Sequence, residues 1–239
     1  MKTALCLYGK IGGTTGKNGA GEPIDFRDCF THIKKHIIDI NNCDIFIHCW
    51  STEYTKALLK LYKPKKSIFE PQIQFNTALK SAKDKNHEFI CKSRWYSNKQ
   101  TLLLKKQYEE ENNFKYDFVM VSRFDLMFFV DFDFSKLDPS FLHASNWNDP
   151  ARGITKANKV NRTLKNRRLL DMWFLGSSDF MGSFALLYDH IYEYAITDPH
   201  RASWDYIESF AGDPFKVIKF LFYRWFDYEI YRIKHGSKK

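Results

Sequence analysis

The sequence predicts an α/β fold with a mostly parallel central sheet. Two short apolar runs, Thr3 to Tyr8 and Cys43 to Trp50, flank a stretch with helical periodicity from Asp25 to Ile40. This alternation of strand, helix and strand is typical of a βαβ unit, in which the strands run parallel. A third apolar run, Phe118 to Val121, is rich in aromatic and β-branched residues and predicts another buried strand.

Apolar spacing and helix-breaking residues place the remaining elements of the amino-terminal half. The first helix is predicted to end at Asn41-Asn42, and a second helix, Glu53–Tyr62, is predicted to end at Lys63-Pro64. A strand or extended edge, Ser67–Phe75, and a polar stretch, Ser81–Glu88, follow. A helix Lys99–Glu111 is then predicted, capped by Ser97 or Asn98 and closed by Asn112-Asn113.

The carboxyl-terminal half is less regular. Asp131 and Asp133 are predicted to lie on the exposed face of a strand, and a basic loop, Arg152–Arg168, follows. A strand Asp171–Gly176 is predicted next, and then a helix Asp179–Ala195 capped by Ser177-Ser178. After a turn at Asp198-Pro199, the predicted elements are the helices Ser203–Phe210 and Pro214–Phe226 and a last strand, Tyr228–Lys234.

Length and composition allow one large domain or two small ones with a substantial core, and we predict a single domain, residues 1–239. Of the 239 residues, 44% are hydrophobic and 17% aromatic, which argues against a disordered chain. No apolar run approaches the roughly 20 residues that a membrane-spanning helix needs. The five cysteines form no C-x-x-C pair, so we expect reduced core residues in a cytoplasmic protein.

The net charge of +9 is concentrated in two segments, the basic loop Arg152–Arg168 and the tail Phe215–Lys239. A sugar-nucleotide diphosphate, an anionic membrane surface or a nucleic acid would each suit such charge, and a solvated basic face is the ordinary alternative. The predicted helix Pro214–Phe226 has cationic and apolar sides, which predicts peripheral contact with the inner membrane face unless the helix packs into the core. No RRM, KH or zinc signature supports specific nucleic-acid binding.

The motif Arg123-Phe124-Asp125 is the strongest functional signal. Charged side chains are costly in a core, but they suit the carboxyl edge of an α/β sheet, where ligands bind. A surface ion pair at an ordinary strand end is the alternative. After the first strand, Gly9 and Lys10 open a glycine-rich turn without P-loop spacing, which predicts backbone contact with a nucleotide.

Four segments carry a resemblance to GT-A-type glycosyltransferases of bacterial capsule or lipopolysaccharide loci and of some large viruses. They are ALCLYGKIGG, NCDIFIHCWS, the run from Ser93 to Phe128, and DMWFLGSSDFMGSF. The resemblance implies a nucleotide-sugar half, residues 1–128, an acceptor half, residues 129–239, and a glycan or lipid-linked acceptor in polysaccharide biosynthesis.

The same resemblance assigns a donor site. Arg123-Phe124-Asp125 stands where the family keeps Asp-x-Asp, so Asp125 is expected to hold Mn²⁺ or Mg²⁺, with His235 completing the metal sphere and Lys238 at the diphosphate. Alternatively, Arg123 supplies the positive charge without a metal. Replacing Asp125 with alanine is expected to abolish transfer and leave the fold intact.

Other side chains are candidates for catalysis and stacking. Asp171 is the candidate acceptor-side base, since an inverting transferase needs a carboxylate to take the hydroxyl proton; Asp205 and Glu208 are runners-up. Tyr96, with Trp50 and Trp95, is a candidate for stacking on a base or sugar, although such rings are more often core. A nucleotidyl- or phosphoryl-group transferase on the same fold and a non-catalytic nucleic-acid-binding protein remain alternative functions.

Overall fold

The computed structural model describes residues 1–11, 26–146 and 167–231. Its strands are β1 (Thr3–Gly9), β2 (Asp44–Cys49), β3 (Lys66–Phe69), β4 (Phe118–Arg123), β5 (Leu126–Phe128), β6 (Leu142–Asn146), β7 (Leu170–Gly176), β8 (Ile218–Tyr223) and β9 (Tyr228–Ile230). Its α-helices are α1 (Phe26–Ile33), which continues through a π-helical segment (Lys34–Ile38) into α2 (Asp39–Asn41), then α3 (Thr55–Tyr62), α4 (Ala82–Glu111), Ser178–Phe184, Pro199–Ala211 and Pro214–Val217.

One seven-stranded sheet dominates the described residues, in the order β3-β2-β1-β4-β7-β6-β8. β1 pairs in parallel with β2 and β4, β2 with β3, and β6 with β8. β7 is antiparallel to both of its neighbours, β4 and β6, and so runs against the other six strands. The predicted α/β class with a mostly parallel central sheet is confirmed.

The central strands are buried on both faces, as parallel strands usually are. Along β1, Ala4, Cys6 and Tyr8 enter one core, whereas Leu5 and Leu7 enter the other. The first core is covered by α4 and the second by α1. Side chains on alternate positions of a strand point to opposite faces, so the residues facing α4 can be followed along each strand to its end.

Helix α4 is much longer than the sequence predicts, and its predicted start at Ser97 or Asn98 is wrong. The cap is Ser81, whose hydroxyl accepts a hydrogen bond from the Asp84 N–H at 3.1 Å and donates one to the Asp84 carboxylate at 2.6 Å. Ser97 and Asn98 lie buried within the helix. The first turns of α4 were not predicted as helix because they are polar and show little apolar periodicity.

The predicted amphipathic helix Pro214–Phe226 is also wrong. The helix stops at Val217, and the next six residues form β8, paired with β6. The stretch is dense in aromatic and β-branched residues, which suit a pleated, half-buried surface. Lys219 lies over the Phe141 ring at 4.3 Å, and Arg224 pairs with Glu229 at 3.1 Å. The membrane-facing helix that motivated a peripheral contact is therefore absent from this segment.

Smaller differences from the prediction concern the carboxyl-terminal half of the chain. Asp131 and Asp133 follow β5 instead of lying in a strand: Asp131 meets His36 at 2.7 Å, and Asp133 caps a 3₁₀ turn. β6 was not predicted, and the helix predicted from Asp179 gives way to 3₁₀ turns after Phe184. Two predicted helix ends are confirmed: the first predicted helix ends with α2, whose C-cap is Asn42, and α4 ends with Asn112 as its C-cap.

All five cysteines are buried and none forms a disulfide, as predicted. Among the described residues, no helix is both long and apolar enough to cross a membrane.

Candidate functional site

The candidate site lies at the carboxyl edge of the parallel strands. Across that edge, Tyr8 of β1 is in register with His48 of β2 and Arg123 of β4. β7 runs the opposite way, so its first residues, including Asp171, begin at the same edge. The Tyr8 hydroxyl donates a hydrogen bond to the Asp171 backbone carbonyl at 3.3 Å. The antiparallel course of β7 thus brings Asp171 to the motif in β4.

Gly9 ends β1 with φ +109°, a conformation that side-chain-bearing residues rarely adopt. Its N–H donates to the Ser97 hydroxyl at 2.9 Å, and its carbonyl accepts from the Trp50 N–H at 3.1 Å. Gly9 and Lys10 both line a cavity at this edge. Because the Gly9 N–H is already used, Gly9 provides close backbone approach there and not a donor to a ligand.

Arg123 and Asp125 form a buried bidentate pair. Arg123 donates from Nε to Asp125 Oδ1 at 2.7 Å and from Nη2 to Oδ2 at 2.6 Å. Burial opposes the charge on Arg123, but the attraction of Asp125 outweighs it and raises the pKa of the guanidinium. The alternative of a surface ion pair is wrong, since both side chains are enclosed.

The described donor set does not fit a divalent cation. Mg²⁺ and Mn²⁺ take several oxygen ligands, and both Asp125 oxygens already accept from Arg123. Within residues 1–11, 26–146 and 167–231, no group of three or more His, Cys, Asp or Glu could hold a metal ion. The predicted metal ligand His235 and the predicted diphosphate contact Lys238 fall outside the described residues.

Arg94 and His200, which the sequence did not single out, surround Asp171. The Asp171 carboxylate is fully enclosed; Oδ2 pairs with Arg94 Nη1, and Oδ1 lies 3.2 Å from His200 Nδ1. His200 Nδ1 is closer still to the Leu169 carbonyl, at 2.8 Å, so we assign the ring proton to Nδ1, donating to that carbonyl. Asp171 therefore sits between a guanidinium and an imidazole, a poor position for a base that must meet an acceptor.

Burial lowers the pKa of His200 to about 3, helped by the positive charges of Arg94 and Arg168 and opposed by Asp198 and the Leu169 carbonyl. The unfolded chain binds this proton below about pH 6.5, whereas the folded protein does not. The unfolded state therefore holds more protons, and the free energy of unfolding falls as the pH falls from about 6.5 towards 3. One such histidine contributes about 1.4 kcal/mol per pH unit.

We expect His200→Asn to flatten this pH dependence, because the amide can still donate to the Leu169 carbonyl but does not titrate. The measurement is urea unfolding of both proteins between pH 6.5 and 5, above most carboxylate titrations. Burial also lowers the pKa of His48 and His143, so the variant should lose about one proton of the slope and keep the rest. An unchanged slope would show that His200 is protonated in the folded protein.

The cavity at the edge has a volume of about 160 Å³ and joins cationic, aromatic and backbone groups. Its lining residues are Tyr8, Gly9, Lys10, Trp50, Gln72, Phe89, Ile90, Ser93, Arg94 and Arg123. Small-molecule sites usually measure about 300–1,000 Å³. The described residues thus form only part of a site for a nucleotide-sized ligand.

The three aromatic candidates differ in position. Trp50 lines the cavity, and Tyr96 stacks on it with ring centroids 5.4 Å apart. Trp95 is buried between Phe174 and Phe184 and cannot reach a ligand. Tyr96 can therefore support a ligand only through Trp50 or from its half-exposed edge.

The other predicted residues either do not line this cavity or fall outside the described ranges. His48 is a core histidine, as predicted, held by Ser97 at 2.7 Å and Glu70 at 2.9 Å. Asp205 is held by Arg201 at 2.7 Å. Of the basic loop, residues 152–166 lie outside the described part, while Arg168 pairs with Asp198 at 2.5 Å.

Comparison with known proteins gives little beyond the architecture. No family model matches the chain, and no curated protein matches it in sequence. Among solved structures, the chain is similar to core-mannan synthase A from Aspergillus fumigatus in its Mn/GDP form, at 10% sequence identity and a TM-score of 0.48. The match covers 92% of this chain and 73% of that one. A likeness this distant leaves the function to be argued from the site itself.

Proposed function

We propose that this protein is a glycosyltransferase that moves a sugar from a nucleotide-sugar donor to a surface-glycan or lipid-linked acceptor. One observation carries the proposal: Arg123, Lys10 and Trp50 line a single cavity at the carboxyl edge of a mostly parallel sheet. A guanidinium and an ammonium bind diphosphate oxygens, and an indole face stacks on a base or sugar. Open α/β sheets bind ligands at this edge.

The reaction forms a bond between an acceptor hydroxyl oxygen and the anomeric carbon of the sugar. The bond from that carbon to the diphosphate oxygen breaks, and the nucleoside diphosphate leaves with the electron pair. The hydroxyl proton passes to a base or to solvent. Positive charge held at the diphosphate stabilises the leaving group as its negative charge grows, and Arg123 and Lys10 are the residues we assign to that role.

Asp125 fixes the Arg123 guanidinium through two hydrogen bonds. Asp171, the sequence's candidate for the acceptor base, is enclosed, with Arg94 paired to one oxygen and the neutral His200 ring 3.2 Å from the other. Its surroundings support an orienting role for the carboxylate over proton transfer. A base role for Asp171 would require the Arg94 and His200 contacts to open when an acceptor binds.

The test is a thermal-shift screen of UDP-, GDP-, CMP- and dTDP-sugars, each with manganese and with chelator. A ligand present at 100 times its Kd stabilises the fold by about 2.7 kcal/mol, so one donor class should raise Tm clearly. Product mass after incubation with glycan or lipid-linked acceptors then separates sugar transfer from nucleotidyl or phosphoryl transfer. Stabilisation by random DNA alone, lost as salt rises, would contradict the proposal and favour a nucleic-acid-binding protein.

A further inference from the structure

We propose that Arg94 and Arg123 together form a diphosphate-binding site that needs no divalent cation, and that the buried Asp171 holds Arg94 in this site. The identity of the whole ligand rests on the proposed function, whereas binding of the diphosphate group does not. Arg94 is thus a second anion-binding arginine, and Asp171 is a positioning residue.

The two guanidiniums belong to one cavity although they come from distant parts of the chain. Arg94 lies on α4, and Arg123 ends β4 on the face that α4 covers. Both line the cavity at the sheet edge, beside Lys10. Their charges also act on one shared neighbour. Burial raises the pKa of Tyr8, and the positive charges of Arg94 and Arg123 both oppose that rise. Such closeness of like charges is costly unless anions lie between them.

Each guanidinium has donor capacity beyond its carboxylate partner. Arg123 uses Nε and Nη2 on Asp125, while its Nη1 points to the Met172 sulfur at 3.7 Å, a weak acceptor. Arg94 forms an ion pair with Asp171 through Nη1. A guanidinium carries five N–H donors, so both groups can offer further hydrogen bonds to phosphate oxygens from the cavity side.

The net charge of the cluster explains why a diphosphate would need no divalent cation here. The cluster contains Arg94, Arg123 and Lys10 against Asp125 and Asp171, so it carries an excess of one positive charge before a ligand binds. A divalent cation on Asp125 would have to displace Arg123 and would lie near the Arg94 guanidinium and the Lys10 ammonium. A diphosphate instead meets cations that are already in place, in a geometry suited to bidentate contact.

Asp171 is suited to hold Arg94 and not to exchange protons. Its side chain is fully enclosed, with Arg94 on one oxygen and His200 3.2 Å from the other. A guanidinium fixed in this way loses little side-chain entropy when the ligand binds. Removing the carboxylate should therefore weaken anion binding through Arg94.

The experiment is calorimetric titration of the full chain with inorganic pyrophosphate, in EDTA and then in manganese. We expect binding in EDTA, with no gain from manganese. Arg94→Ala should weaken binding about 10- to 100-fold, as expected for lost hydrogen bonds to a charged group. The control is Arg224→Ala: Arg224 is comparably exposed, at 22% against 18% for Arg94, and pairs with Glu229. The Arg224→Ala variant should bind pyrophosphate with the affinity of the parent protein.

A double-mutant cycle tests the role of Asp171. Asp171→Asn should weaken pyrophosphate binding, and Arg94→Ala/Asp171→Asn should bind no worse than Arg94→Ala alone, because both changes remove one interaction. The double variant carries no unpaired charge at this position, so it also covers the case in which the single Asp171 variant fails to fold. Full additivity, or a normal affinity in Asp171→Asn, would overturn the positioning role.

The outcomes separate this inference from the proposed function. Pyrophosphate binding in EDTA without binding of any nucleotide sugar would support the arginine site and contradict the transferase. Binding of pyrophosphate and of nucleotide sugars only with manganese would support a metal-dependent transferase and overturn the inference. Unchanged affinity in Arg94→Ala would also overturn it.

Discussion

Asp125→Ala should lower the free energy of unfolding by about 3–5 kcal/mol, because removing one partner of a buried ion pair leaves the other charge uncompensated. The side chains of Arg123 and Asp125 are only 6% and 0% exposed. The variant should also lose donor binding, since the Arg123 guanidinium is no longer fixed towards the cavity. The sequence alone led us to expect an intact fold, and the enclosure of the pair changes that expectation.

The measurement is urea unfolding with a matched control. Asp205→Ala removes the carboxylate of another arginine pair, Arg201–Asp205, whose side chains are 38% and 24% exposed. A pair open to solvent should cost about 0.2–1 kcal/mol. Arg123→Leu/Asp125→Leu should recover most of the stability lost in Asp125→Ala but not donor binding. Donor binding by that double variant would remove the motif from the proposed site.

The sequence could place Asp125, Arg123 and Asp171 next to strands, but it could not show that these strands meet. Apolar patterning marks where a strand begins and ends, not the direction in which it enters a sheet. A parallel β7 would put Asp171 at the opposite edge from Arg123. Its antiparallel pairing with β4, Ser122 opposite Trp173, places it at the same edge.

Arg94 and His200 were missed for local reasons. Arg94 follows a polar stretch that was interpreted as a connection, because the first turns of α4 lack apolar spacing. His200 follows Asp198-Pro199, interpreted as a turn. In the structure Asp198 caps a helix, accepting from the Arg201 N–H at 3.2 Å, and proline takes the first helical position. An N-terminal Asp-Pro is a known helix-start signal, and applying it would have put His200 in a first turn.

The error at β8 has a different cause. The segment's apolar spacing fits a helix as well as an edge strand, and only its pairing with β6 decides between them. Tertiary contacts routinely override local patterns of this kind. Two of the basic residues that gave the predicted helix its membrane-facing side, Lys219 and Arg224, instead contact Phe141 and Glu229.

Glu109→Ala should be among the most destabilising single changes, although it lies at the opposite end of β4 from the site. Glu109 accepts from Lys105 Nζ at 2.9 Å, from the Ser178 hydroxyl at 2.6 Å and from the Tyr116 N–H at 2.8 Å. This network joins α4 to the entry of β4 and to the helix Ser178–Phe184. Its loss leaves the Lys105 ammonium buried without a counter-charge, which costs about 3–5 kcal/mol.

The same helix contains a matched control one residue further along. Lys105 and Glu109 are 2% and 7% exposed, whereas Lys106 and Glu110, the neighbouring pair with the same spacing, are 61% and 64% exposed. Glu110→Ala changes the same residue type in the same helix, and we expect an effect within about 0.5 kcal/mol. Urea unfolding of both variants therefore isolates burial from helix propensity. Lys105→Met/Glu109→Gln should recover most of the loss, because the amide oxygen still accepts from Tyr116 and no charge is left buried. If Glu109→Ala instead matched Glu110→Ala, the Lys105 ammonium would have to reach water in the variant, and the network would contribute packing and not charge compensation.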